Sequence, residues 1–489
     1  MIPILSGNVA SALPSGYEVA NSCRFNSADS AQLSKSVGSS ATTKYTLSLW
    51  VKRGLITNGT GNGQRFFTST GGSGLGDTYF RFNTDDTIEI SGHGSSATAG
   101  GYVITNRLFR DPTAWYHIVI RYDSTESSAN DRFRLYINGV DERTVGGYST
   151  STMPNSSVAD NITASGNTIR IGATASAQYF NGYLTEIHFS EGQSYAPTEF
   201  GEYDEDSPTI WKPKKANISY GTSGFHLDFE DSSNMGNDAN GGTDFTETNI
   251  DSTDQATDTC TNNFCTLNPL AQHPSDSTGA YSQGNCVYTV SDYNPSARGT
   301  FGMSAGKWYW EIKQSAVQLR AGICTSGFNT YLDTDNVNAF FPTNGGAVHV
   351  MNTNTGTSWQ RTNNSSSRSV DTFTSAIAST SGSIINFAFD ADSGKMWWGV
   401  DGVYLNSGDP ANGTNPTLTA VNPTTADDYH CFTSINDTSS ISASFNFGGC
   451  PSFTVSSSNS DGNGYGSFEH TVPSGFFSLC TKNLAEYGG

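Results

Sequence analysis

Side chains alternate in character with period two along most of this chain, and that pattern restricts it to strands. In YTLSLWVKR (45–53), Tyr45, Leu47, Leu49 and Val51 fall on one face, and Thr46, Ser48, Trp50 and Lys52 on the other. Successive residues of a strand point to opposite faces, so such a segment lines a core with every second side chain. TYFRFNTDDTIEI repeats the alternation around an Asp85-Asp86 turn, and AWYHIVIRYDST and DRFRLYINGVDERT supply further strands. The Asn138-Gly139 pair marks a tight hairpin turn, because both central positions of that turn need a positive φ. NTIRIGATA and FNGYLTEIHFSEG close the set, and no helical period appears between residues 21 and 205. An antiparallel β-sandwich follows. The 52 Gly, 28 Phe and 22 Tyr fit strands and turns better than helices.

At 489 residues the chain is longer than one hydrophobic core usually supports. A second alternating region runs over 276–489, with KWYWEIKQ, QLRAGICTS, SIINFAFDADSGKMWWGVDGVYLN and ASFNFGG as strands and turns. Between the two regions the texture changes. No Lys or Arg lies between Lys215 and Arg298, and nine acidic residues run from Asp228 to Asp258 inclusive. This Gly/Asn-rich span reads as an acidic connector over 206–275. The opening MIPILSGNVASALPSG, interrupted by Pro3 and Pro14, reads as an extended N-terminal arm over 1–20. The expected fold is all-β, two concanavalin-like antiparallel sandwiches joined by the connector.

The net charge of −20, from 45 acidic and 25 basic residues with no basic cluster, argues against nucleic acid and anionic membrane surfaces as partners. No stretch approaches 18 apolar residues, so no membrane insertion is expected. The start lacks the basic and apolar regions of a secretory signal, which predicts folding in a cytosol. The eight cysteines then read mainly as small buried apolar residues, with a Cys260–Cys265 bridge, or a metal pair of these two with His226 or His273, as the competing reading.

Several segments carry a resemblance. CRFNSADSAQL, YTLSLWVKR, WYHIVIRYD, LYINGVDE, IRIGA and YLTEIHFSEGQSYAPTEF resemble, in that order, a laminin-G/concanavalin-A-like domain over 21–205. GKWYWEIK, AGICTSGF, FAFDADSGKMWWGVDG and FNFGG resemble a SPRY domain over 276–489. The pairing, together with FGEYDEDSPTIWKPKKANISYGTSGFHLDFEDSS, resembles proteins of tailed bacteriophages. That resemblance implies a fibre or appendage on the virion surface, made and assembled in the host cytoplasm, that recognises a host-surface glycan or protein. It also implies a homo-oligomer, a trimer where the appendage is a tail fibre. A head fibre or capsid decoration protein, and a surface polysaccharide depolymerase, are the alternatives.

The stretch LTEIHFSEG (184–192) bears on the depolymerase, because laminarin-cleaving glucanases carry a similar Glu-Ile-Asp-x-x-Glu strand. In a regular strand Thr185, Ile187 and Phe189 share one face, and Leu184, Glu186, His188 and Ser190 the other. Glu186 and Glu191 then point to opposite faces, whereas a retaining glycosidase holds its two carboxyl groups about 5–5.5 Å apart. Only a bulge after His188 would bring Glu191 round. His188 also stands where the glucanase motif has Asp. No enzyme is expected, and no catalytic residue is assigned.

The remaining candidates are binding residues. SPRY domains bind through loops at one end of the sandwich, which points to GFNTYLDTDN and NTNTGTSWQRTNN, with Tyr331, Asp333 and Trp359 as ligand contacts. Ile2, Pro3, Ile4 and Leu5 are the candidate attachment residues of the arm to other virion proteins, by strand addition. Asp228, Glu230 and Asp231 form the densest group of carboxylates, so calcium is the one cofactor the sequence leaves open. His93, His117, His188, His226 and His273 are scattered along the chain.

Overall fold

A computed structural model describes residues 16–488, apart from 57–62, 72–76, 94–99, 272–278, 292–295, 318, 327–347, 353–356, 362–368, 373–378, 420–427 and 436–439. The described residues form two compact units, dividing between Thr261 and Asn262. Both are all-β, as the alternation predicts.

The first unit packs two eight-stranded sheets face to face. One runs Val140–Asp141, Phe133–Ile137, Trp115–Asp123, Lys44–Arg53, Gly182–Glu191, Ser22–Phe25 and Gln255–Ala256, with Phe225–Leu227 also paired to Gly182–Glu191. The other begins at Tyr148–Thr152 and ends with Gln32–Ser36 beside Thr246–Thr248. Tyr45, Leu47, Leu49 and Val51 join Phe67, Phe80, Ile118, Ile120 and Phe189 in the core between the sheets.

The opposite face of Lys44–Arg53 is buried as well. Thr46, Ser48, Trp50 and Lys52 are each at most 1% exposed. The cover comes from the segment expected to be a connector, and that expectation is corrected here. Residues 206–261 supply three strands, Phe225–Leu227, Thr246–Thr248 and Gln255–Ala256, that complete both sheets. Their acids are ion-pair partners: Asp258 meets Lys52 at 2.7 Å, Asp254 meets Arg24 at 3.1 Å and Asp238 meets Lys35 at 3.2 Å. A charge run that reads as solvated loop is spent instead on cations that are close in space and some 200 residues away in sequence.

His117 shows how tightly this outer layer is built. Its ring lies stacked between Trp50 and Trp211, with centroids 4.8 and 5.9 Å away. Trp211 Nε1–H donates to Nδ1 at 2.9 Å, so Nε2 carries the proton and donates to Ser48 Oγ at 2.8 Å. Burial, with repulsion from His188 adding to it, pushes the His117 pKa down to about 3. The unfolded chain takes up this proton near pH 6.5 and the folded chain only near 3, so His117 stabilises the fold above 6.5 and withdraws that contribution as pH falls. Urea unfolding at pH 7 and pH 5 should therefore show a loss of ~2 kcal/mol from this one group. His117→Gln should lack that part of the slope; an identical pH dependence in the variant would refute the assignment.

The second unit pairs an eight-stranded sheet with a six-stranded one. Lys307–Gln314, Ile384–Asp390 and Lys395–Val400 are neighbours at the centre of the larger sheet. Trp308, Trp310, Phe387, Phe389 and Trp398 line the main core. Trp397 faces the other way and is equally buried, in a second small core with Tyr309, Phe468, Val472 and Phe476. All eight cysteines are buried and none forms a disulfide.

Candidate functional site

The two residues that raised the enzyme question sit on the Gly182–Glu191 strand, and its pairing with Lys44–Arg53 is irregular. Thr185 faces Trp50 and His188 faces Ser48, so Glu186 and Ile187 together oppose the single Leu49. This is a β-bulge, and Glu186 takes the left-handed conformation there, with φ 47°. The extra residue reverses the phase of the strand. Leu184 and Ile187, three apart, both enter the core, while Thr185 leaves it and donates to the Asn21 carbonyl at 2.6 Å. The regular-strand assignment of Leu184 and Thr185 is thus reversed. The bulge also lies two residues before the position where it would have swung Glu191 towards Glu186. Glu191 instead accepts from Ser39 Oγ at 2.5 Å and from the Ser223 amide at 2.8 Å.

Because the bulge ends pairing with Ser22–Phe25, the same strand edge is free to take Phe225–Leu227 further along, which sets His188 directly opposite His226. Both histidines meet Glu186. His188 Nε2 lies 3.1 Å and His226 Nε2 3.3 Å from Glu186 Oε2. The two rings stack with centroids 4.0 Å apart and planes 18° from parallel. Tyr17 donates to the other carboxylate oxygen, Oε1, at 3.2 Å, and the Tyr220 hydroxyl lies 2.8 Å from His188 Nδ1. Burial works to raise the Glu186 pKa, but hydrogen bonding and attraction from His188 and His226 outweigh it and hold the carboxyl well below its usual range. Burial lowers the His188 pKa against the pull of Glu186. The group is therefore a carboxylate beside a neutral imidazole at neutral pH. Among the described residues these three side chains, whose ligand-type atoms lie within 4.8 Å of one another, are the group with metal-ligand chemistry.

The sequence assigned that chemistry elsewhere. Asp228, Glu230 and Asp231 are not brought into one cluster: Asp228 Oδ1 accepts from the Glu230 amide, Asp231 Oδ1 caps Ser233, and Glu230 and Asp231 are exposed. His188 and His226 each stand out in the sequence, but their pairing is a fact of register that no local signal carries. Ile2, Pro3, Ile4, Leu5, Tyr331 and Asp333 lie outside the described residues, and Trp359 lies on the strand Thr357–Arg361, of which only the backbone is described.

The second unit contains a polar, aromatic recess of about 300 Å³ lined by Tyr309, Asn386, Asp401, Tyr404 and His470. Its floor is ordered by the buried Glu311 carboxylate, which accepts from Tyr309 Oη at 2.9 Å and from the Glu469 and His470 amides at 3.0 and 2.8 Å. Asn386 Nδ2 donates to Tyr309 Oη at 2.8 Å. His470 Nε2 is buried with no hydrogen-bond partner.

No curated protein sequence matches the chain. Among solved structures, a candidate carbohydrate binding protein from Bacteroides ovatus is 13% identical, with a TM-score of 0.32, over 48% of this chain and 59% of its own length. The heptameric SAP-like pentraxin of Limulus polyphemus is 16% identical over 44% of this chain and 94% of its own, with a TM-score of 0.29. The SPRY domain of human HERC1 is 11% identical over 38% and 99%, with a TM-score of 0.27. Residues 25–193, the span that holds the bulged strand, match the concanavalin A-like lectin/glucanases superfamily in its laminin G form.

Proposed function

We propose that this protein recognises a surface glycan without cleaving it. The observation that carries this reading is the fate of the two glutamates on the bulged strand. Glu186 is held by two histidines and Tyr17, and Glu191 by Ser39 and Ser223. Neither is left to act on a bond between them, as paired glycosidase carboxylates must. The lectin/glucanase match over 25–193 supports a carbohydrate as the ligand. In the second unit, Tyr404 and His470 give the recess a ring surface, and Asn386 and Asp401 give it polar groups, the combination that sugar rings use.

The finer part of the reading is adhesion from a virion. The resemblance of the paired segments to tailed-phage proteins supports it, with the N-terminal arm as attachment point and several copies offsetting weak single-site affinity. Purified full-length protein should bind a subset of a bacterial polysaccharide panel saturably and release no reducing sugar from it. Tyr404→Ala should weaken that binding about tenfold, from the loss of a stacked ring. Sugar release that disappears in Glu186→Gln would overturn the non-catalytic reading, and antibody labelling of neither tail nor head on intact particles would overturn the virion part.

A further inference from the structure

The buried cluster on the outer layer of the first unit has more organisation than a fold alone requires. A bulge with a left-handed Glu186 sets a cross-strand histidine pair on one carboxylate oxygen, Oε2, while Tyr17 donates to Oε1 and the Tyr220 hydroxyl meets His188 Nδ1. We propose that Glu186 Oε2, His188 Nε2 and His226 Nε2 form a binding site for a first-row transition metal ion, Zn²⁺ being the best match.

Distances support this. A tetrahedral Zn²⁺ with bonds of about 2.0–2.1 Å holds its ligands about 3.3–3.4 Å apart. The two imidazole nitrogens lie 3.1 and 3.3 Å from Glu186 Oε2. Two imidazoles and one carboxylate suit Zn²⁺ and its neighbours, whereas Ca²⁺ takes six to eight oxygens, which this site does not offer. Three protein ligands leave the fourth position for water or a ligand group.

The atoms around the ligands fit the same purpose. Tyr17 occupies Glu186 Oε1 and so leaves Oε2 facing the histidines. Tyr220 occupies His188 Nδ1, and a metal-bound imidazole needs such a partner on its other nitrogen. With a metal on Nε2, the His188 proton moves to Nδ1 and is donated to the Tyr220 hydroxyl. His226 Nε2 is buried 3.3 Å from Glu186 Oε2, an ion-pair contact without good hydrogen-bond geometry, which a cation between the two atoms would replace. The stacked rings place a cation that lies in the plane of His188 out of the plane of His226. His226, with 17% of its side chain exposed against 4% for His188, is the ring that turns, exchanging its 3.3 Å contact with Glu186 Oε2 for a shared bond to the ion. The bound ion would tie the Phe225–Leu227 strand to the Gly182–Glu191 strand.

The test uses full-length protein stripped with a chelator. Titration with Zn²⁺ against a chromophoric competitor should give one ion per chain, and Co²⁺ should produce the intense visible bands of a tetrahedral site. His226→Ala should weaken Zn²⁺ binding by at least about 100-fold, and Tyr220→Phe, which keeps all three ligands, by about tenfold. Added Zn²⁺ should raise the thermal midpoint of the wild type and not that of folded His226→Ala. No Zn²⁺ uptake by the folded wild type, uptake undiminished in His226→Ala, or Ca²⁺ competing at equal concentration would each overturn the proposal.

Discussion

A chain cut after Glu205 should fail to give a folded first unit, while one cut after Thr261 should fold. The two differ by 56 residues of Gly- and Asp-rich sequence that look dispensable. Those residues bury Trp211, Phe225, Leu227, Phe229, Met235, Phe245 and Ile250, each at most 6% exposed. At about 1.5–3 kcal/mol for each large apolar side chain, their loss removes ~10 kcal/mol or more, which is comparable with the whole stability of a typical domain. The cut also strips the cover from Trp50 and His117 and leaves Lys35, Lys52 and Arg24 without their acidic partners. The shorter fragment should be aggregated or lack near-ultraviolet circular dichroism, and the longer one should unfold cooperatively. A cooperative transition in the shorter fragment would show that residues 206–261 are a connector after all.

That contrast also marks where the sequence is legible. Period-two alternation identifies the strands and their core faces, and Tyr45, Leu47, Leu49 and Val51 lie where it puts them. Alternation says which way a side chain points and nothing about what comes to cover it. Trp50 and Lys52 therefore read as outward residues and are buried nonetheless, under segments distant in sequence. The acidic run misleads for the same reason, since Asp238, Asp254 and Asp258 find their cations only once the sheets are assembled. The bulge is hidden differently. A positive φ normally announces itself by Gly or Asn, and here the position holds Glu186, whose strain of about 1–3 kcal/mol is borne by the surrounding pairing. Since the bulge sets the register that brings His226 to His188, the candidate metal site is invisible until the strands are paired.

The second large effect is expected at Arg53, at the end of its strand. Its side chain and that of Asp86 are both fully buried, 3.0 Å apart. The guanidinium also donates to the Phe109 carbonyl at 2.6 Å and the Leu55 carbonyl at 3.0 Å, and lies 4.4 Å over the Phe82 ring. One planar fork thus ties a turn, two loops and the core edge together, which a lysine ammonium cannot reproduce. Burial lowers the Arg53 pKa and Asp86 pulls it back up, so the buried guanidinium, which stays charged, relies on Asp86 for compensation. Arg53→Met should cost about 3–5 kcal/mol, because Asp86 loses its fully buried cation and the other ion-pair partner, Arg110, has a side chain 47% exposed. For a unit of this size that is a fall of about 10 °C or more in thermal midpoint. Arg53→Lys should recover only part of it. The double variant Arg53→Met/Asp86→Leu should be more stable than Arg53→Met alone, since the uncompensated carboxylate is then gone. If removing Asp86 from the Arg53→Met protein instead lowers its stability further, the buried charge is not the source of the loss, and the pair acts only through the space it fills.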